Sequence, residues 1–137
     1  MGTSALTNLL LAGWETPAKI RLISLLFASG GAIAFPVALF LARLVSLGRQ
    51  REVALAAGLV CLVASTIGLT GGLFALQYRS YYAEWHAPAF TVTWAFQFSF
   101  TVLIALYQFA VLGIRLYLPF GFVALAVAGV WFARRQR

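Results

Sequence analysis

Four long stretches of this chain carry no Asp, Glu, Lys or Arg: Leu22–Ala42, Val53–Tyr78, Trp85–Ile114 and Leu116–Ala133. A helix rising 1.5 Å per residue needs about 20 apolar residues to cross the roughly 30 Å hydrocarbon core of a bilayer. All four stretches reach or approach that length. Lipid offers the backbone no hydrogen-bond partner, so a spanning segment is a helix or part of a closed barrel, and long runs without polar alternation exclude the barrel. The expectation is an all-α, polytopic integral membrane protein. Its four transmembrane helices form an up-down bundle with spans near residues 20–43, 53–78, 88–114 and 117–133, and residues 1–137 make a single transmembrane domain. Met1–Trp14 is uncharged but too short to span, and Ser4, Thr7 and Asn8 set against Leu6, Leu9, Leu10 and Trp14 read as a short interfacial helix.

Composition agrees. Hydrophobic residues make up 63% of the 137 and charged residues 9%, against about 45–50% and about 25% in soluble domains. The acids are Glu15, Glu52 and Glu84, with no Asp, and one cysteine, Cys61, rules out an intramolecular disulfide scaffold. The net charge of +7 comes from cations that punctuate the apolar stretches. They read as anchors for phospholipid headgroups, with the lipid bilayer as partner and no nucleic acid. Arg134-Arg135-Gln136-Arg137 reads as a C-terminal anchor, and Arg43 and Arg115 as span-end residues whose stems snorkel.

Boundary chemistry is readable in places. Thr16-Pro17 has the form of an N-cap followed by proline at the first helical position, and Ala87-Pro88 plays a similar part before the third span. Gly48 through Glu52 forms a polar turn. Only Gly113–Pro119 separates the last two spans, so short a link that an antiparallel hairpin is expected. Pro36 removes one backbone hydrogen bond inside the first span. In this layout Lys19, Arg21, Arg79, Arg134, Arg135 and Arg137 face one side, and Arg43, Arg49, Arg51 and Arg115 the other. The richer side is expected in the cytoplasm, with both termini.

Three sets of residues invite a role. Ala64, Gly68 and Gly72 in the second span, and Ser24, Ala28 and Ala32 in the first, recur every four residues, the pattern that lets helices approach closely in lipid. The plain reading packs the two stripes together; the sharper one turns a stripe toward a neighbouring subunit. Thr93, Gln97, Thr101 and Gln108 fall within roughly 80° on the third span at 100° per residue. They either hydrogen-bond neighbouring helices or line a pore or a quinone or substrate pocket. His86, the only histidine, offers a ligand to a chlorophyll-type pigment or one face of a haem, with Phe90, Trp94, Phe96, Phe98 and Phe100 as pigment-lining candidates. The alternative is an interfacial histidine in an aromatic belt near an Arg79–Glu84 pair.

No metal cluster or catalytic triad can be assembled from these residue types, and Cys61 reads as a small packing residue. The chain is not expected to be an enzyme. No acid falls inside a span, which argues against proton-coupled transport. The leading expectation is a small non-catalytic membrane subunit that packs in and stabilises a larger respiratory, photosynthetic or transport complex. A homo-oligomeric channel or transporter using the polar stripe is the alternative, and a pigment- or haem-binding protein through His86 a further one.

Overall fold

A computed structural model describes residues 1–13 and 16–135. Trp14 of the expected interfacial helix, the acid Glu15, and Gln136 and Arg137 of the expected C-terminal anchor lie outside the described residues. All regular structure among the described residues is helical: α1 (Gly2–Ala12), α2 (Pro17–Ser46), α3 (Arg51–Tyr82), α4 (Val92–Gln108) and α5 (Phe120–Arg135). A 3-10 turn, Ala83–Trp85, extends α3. A π-helical segment, Phe109–Gly113, and a 3-10 turn, Ile114–Tyr117, extend α4. Three helices have the length and apolar composition to cross a membrane: Pro17–Ser46, Arg51–Trp85 and Val92–Tyr117. α5 has 16 residues, about 24 Å at helical rise, which is short of a bilayer's hydrocarbon core.

Local chemistry places the ends. Thr16 is the N-cap of α2 with Pro17 at its first position, although the Thr16 hydroxyl makes no capping bond. Gly48 turns the chain between α2 and α3 with φ 66°, a left-handed conformation that glycine adopts without steric cost. α4 starts later than expected. Its cap is Thr91, whose hydroxyl oxygen accepts from the Trp94 N–H at 3.2 Å, because Ala87–Thr91 is occupied by a turn in which the Thr91 N–H donates to the Pro88 carbonyl. α2 continues unbroken through Pro36.

α3 is the central element, in contact with α2, α4 and α5. α2 lies antiparallel to it along a seam of small buried residues, Gly30, Ala34, Ala38, Ala42 and Ser46. Gly30 sits directly on Thr70, and Ala38 packs with Leu62. The answering residues on α3 are Ala54, Gly58, Leu62, Thr66 and Thr70. This corrects the expected pairing of stripes. Ala64 and Gly68 are exposed, and a Cβ added at Gly68 or Gly72 would meet nothing within 4 Å. Ser24 and Ala28 pack on Gly2 of α1, while Ala32 is exposed. Each helix carries two four-residue stripes offset by two positions, about 200° of helical rotation, so burying one stripe turns the other outward.

α1 lies along the first half of α2, running the opposite way: Met1 touches Gly31, Gly2 meets Ser24 and Ala28, and Leu9 shares a cavity wall with Ile23. It is therefore aligned with the bundle and not laid across its end, as an interfacial helix would be. α4 and α5 form no antiparallel hairpin. Phe98 lies near Arg79, Phe109 on Gly71, Tyr117 at Thr66, Leu125 with Leu62, and Phe132 on Gly58. Read in order, these contacts run α4 and then α5 down α3, end to end. The seven-residue link does not reverse the chain because Phe109–Tyr117 remains helical, in π and then 3-10 form. The break is confined to Leu118 and Pro119, which are joined by a cis peptide bond.

A methyl group at Gly30 is expected to force α2 from α3, since Thr70 fills that space. Gly30→Ala should cost about 1–3 kcal/mol in a mixed-micelle unfolding titration, the usual range for overpacking. Gly68→Ala should stay within about 0.5 kcal/mol of the parent, as substitutions free of packing contacts do.

Candidate functional site

The polar chemistry of the bundle concentrates at the α4–α5 break. Leu118 is extended (ψ 142°) and followed by proline, so its carbonyl leaves the helical ladder. Two α1 side chains one turn apart supply the missing donors: the Ser4 hydroxyl donates to the Leu118 carbonyl at 3.4 Å, and the Asn8 side-chain amide donates to the same oxygen. The Asn8 amide also donates to the Ser4 carbonyl at 2.9 Å, which fixes its orientation. On the other side of the break the Tyr117 hydroxyl donates to the Thr66 carbonyl of α3 at 3.4 Å. The buried Tyr117 ring packs on Phe27 and Phe122, with centroids 5.0 and 5.9 Å away.

Phe109 opens the π-helical segment and is held by glycines. Its ring lies where a Cβ on Gly71 or Gly113 would stand, and Phe27 and Phe74 close on it at centroid distances of 5.9 and 6.0 Å. Beside this cluster a cavity of about 400 Å³ lies between α1, α2, α3 and the broken helix. Its wall is largely aromatic and aliphatic but contains Asn8, Gln108 and Arg115.

Arg115 is exposed and stands two residues before the end of the apolar helix Val92–Tyr117, in keeping with its expected place at a span end, yet it is level with the middle of α3. It lies between Phe109, level with Gly71, and Tyr117, level with Thr66, and Thr66 stands at the midpoint of the charge-free stretch Val53–Tyr78. Arg115 is thus halfway along the apolar length of α3. Among the described residues its guanidinium has no ion-pair or hydrogen-bond partner. Glu52 and Glu84, the acids described, stand at opposite ends of the α3 rod.

The polar stripe on α4 is divided. Thr93, Gln97 and Thr101 share an open groove with His86, whereas Gln108 faces the cavity at the break. In the groove the Ala87 N–H donates to Gln97 Oε1 at 2.8 Å, the Thr101 hydroxyl donates to the Gln97 carbonyl at 2.6 Å, and Thr101 Oγ1 lies 3.2 Å from His86 Nε2. With the Thr101 proton committed to Gln97, the His86 Nε2–H donates to Thr101. The other ring nitrogen, Nδ1, is buried without a partner. Gln97 and Thr101 therefore hold the loop after α3 against α4.

Aromatic residues crowd this end of the bundle. Phe90, at φ 68°, begins a ladder with Trp94 and Phe98, and Tyr78, Tyr82 and Trp85 form another. Phe96 and Phe100 line the His86 groove. Arg79 lies 4.9 Å over the Phe98 ring and does not pair with Glu84. At the opposite end Arg51 and Glu52 share a groove with Arg134, and Arg135 lies 4.4 Å over Trp131. Cys61 is half-buried on α3.

Sequence reasoning missed Arg115 and Asn8 as neighbours of Gln108. The signals present were a lone arginine followed at four residues by proline, and a Ser4/Asn8 pair at helical spacing with no role of its own. No protein-family model, no characterised protein and no solved structure matches the chain.

Replacing Ser4 by Ala and Asn8 by Leu together leaves the Leu118 carbonyl without a donor. The expected loss of stability is about 0.5–1.5 kcal/mol, the net worth of an ordinary hydrogen bond, with faster amide hydrogen exchange confined to the first turn of α5. Gln97→Leu should instead raise exchange at Ala87 and leave α5 protected.

Proposed function

We propose that this chain is a small, non-catalytic membrane subunit that packs in and stabilises a larger membrane protein complex of the respiratory, photosynthetic or transport kind. The observation that carries this reading is the outward face of α3. Ala56, Val60, Ala64, Gly68, Gly72 and Leu76 follow one another every four residues on the side opposite the α2 seam, and all but the half-buried Gly72 are exposed. Small residues in that register let a second helix approach closely, which is how helices associate where lipid removes the hydrophobic driving force between them.

We further propose three crossings: α2, α3, and one interrupted crossing shared by α4 and α5. In support, α4 and α5 run end to end along α3, and α2 and α3, with 30 and 32 residues, measure about 45–48 Å, close to a bilayer with its headgroups. Arg43, Arg49, Arg51, Arg134 and Arg135 then gather at one end, against Lys19, Arg21 and Arg79 at the other. The cationic end, with residue 135, is cytoplasmic by the positive-inside rule. Four separate spans would put Arg134 and Arg49 on opposite sides.

Two measurements test this. Gentle extraction from native membranes should recover the chain with partner subunits. Gly68→Leu with Gly72→Leu should abolish that recovery while leaving the unfolding midpoint of the isolated chain unchanged; a wild-type chain that leaves native membranes as a lone monomer refutes the reading. In a Cys61→Ser background, Gly48→Cys and Arg134→Cys should react with a membrane-impermeant maleimide from the same side, and reaction from opposite sides restores four spans.

A further inference from the structure

We infer that the cavity at the α4–α5 break binds a single-chain amphipathic carboxylate, with the Arg115 guanidinium receiving the carboxylate and the Gln108 amide completing its hydrogen bonds. The inference rests on the three-crossing reading above, in which the exposed Arg115 stands midway along the spanning bundle, where a charge is costly unless met; no described residue pairs with it. The guanidinium presents paired N–H donors whose fork matches two carboxylate oxygens, a stronger contact than either group makes with a neutral partner. Gln108 lies on the same cavity wall, and its side chain has no hydrogen-bond partner among the described residues. Both polar groups at the head of the cavity therefore have unused donors, and nothing there supplies an acceptor with charge.

The rest of the wall suits a hydrocarbon tail. Phe27, Phe74, Leu112 and Leu116 line it, and the cavity reaches up to Ala12 and Ile23, beside the Lys19–Arg21 end of the bundle. Its volume, about 400 Å³, falls in the range of small-molecule sites. Leu112 is 52% exposed on the outer surface, so the site borders the surrounding lipid. A diacyl lipid would have to bring a phosphate and two chains to this cavity of about 400 Å³, whereas a single-chain carboxylate brings one chain and a smaller head. The helix break makes the site possible. The π-helical segment Phe109–Gly113 lies between Gln108 and Arg115, and such segments recur at functional sites.

The test uses the full chain in phosphatidylcholine nanodiscs with carboxyl-¹³C dodecanoate as probe, read by ¹³C NMR. The expected result is a saturable bound resonance, one per chain, that stays ionised to lower pH than the bilayer-dissolved pool. Arg115→Gln should weaken binding about 10- to 100-fold, the worth of a charge-assisted contact, and Gln108→Leu by a smaller factor. Leu112→Trp, which fills the cavity and keeps the charge, should abolish binding and covers the case in which Arg115→Gln does not fold. Absence of a saturable resonance overturns the proposal, as does an unchanged one in Arg115→Gln or Leu112→Trp. Equal competition by dodecanol or dodecyltrimethylammonium also overturns it by removing the role of the carboxylate, and competition by phosphatidylglycerol assigns the site to a phospholipid headgroup instead.

Discussion

The carbonyl of Leu118 leaves the helical ladder at the α4–α5 break and takes its donors from α1, and this contact fixes how the N-terminal helix sits on the bundle. A proline-terminated break inside a bundle leaves backbone groups outside any helical ladder, and lipid cannot satisfy them. The protein answers with a short helix, α1, whose Ser4 and Asn8 project one turn apart onto that oxygen. Docking α1 there places Gly2 against Ser24 and Ala28 and buries Ala5 and Leu9. The small residues on the N-terminal half of α2 are thus the bed for α1. They are not a second contact with α3.

With the break stabilised, α3 becomes a rod with three different neighbours. The α2 seam covers one face from Ala54 to Thr70, α4 and the π-helical segment cover its upper half, and α5 its lower half. What is left is the Ala64–Gly68–Gly72 face. This stripe is free of bulk and lies on a helix whose other sides are occupied, and the proposed role as a subunit rests on it. The break and the open face are independent features: one shapes an interior cavity, the other an exterior contact.

Much of the fold was legible in the residues. The charge-free runs and their flanking cations located the long helices, Thr16-Pro17 marked the start of α2, and Gly48 marked the turn into α3. The misreadings have definite causes. Stripe matching by spacing alone could not choose between Ser24/Ala28/Ala32 and Gly30/Ala34/Ala38/Ala42, because both have the same period; the second continues to Ser46 and meets a complementary row on α3. Counting charge-free stretches made separate spans of the segments before and after Arg115, whereas the structure runs them end to end along α3. The hairpin between α4 and α5 was inferred from link length, which measures how far a chain can turn and not whether it does.

The candidate site follows the same division. Thr93, Gln97, Thr101 and Gln108 form a common stripe by angle, but seven residues of axial rise separate Thr101 from Gln108, and each end of the stripe meets a different partner. By itself the sequence determined the class, an all-helical chain with helices long and apolar enough to cross a membrane, because hydropathy and backbone satisfaction are local properties summed along a segment; its four expected spans became three such helices in the structure. Only the tertiary structure decided which small-residue face is buried, that α4 and α5 continue one another, and that Arg115, Gln108 and Asn8 share a cavity. Those outcomes depend on shape complementarity between segments remote in sequence, and no local pattern encodes the rotation of one helix against another.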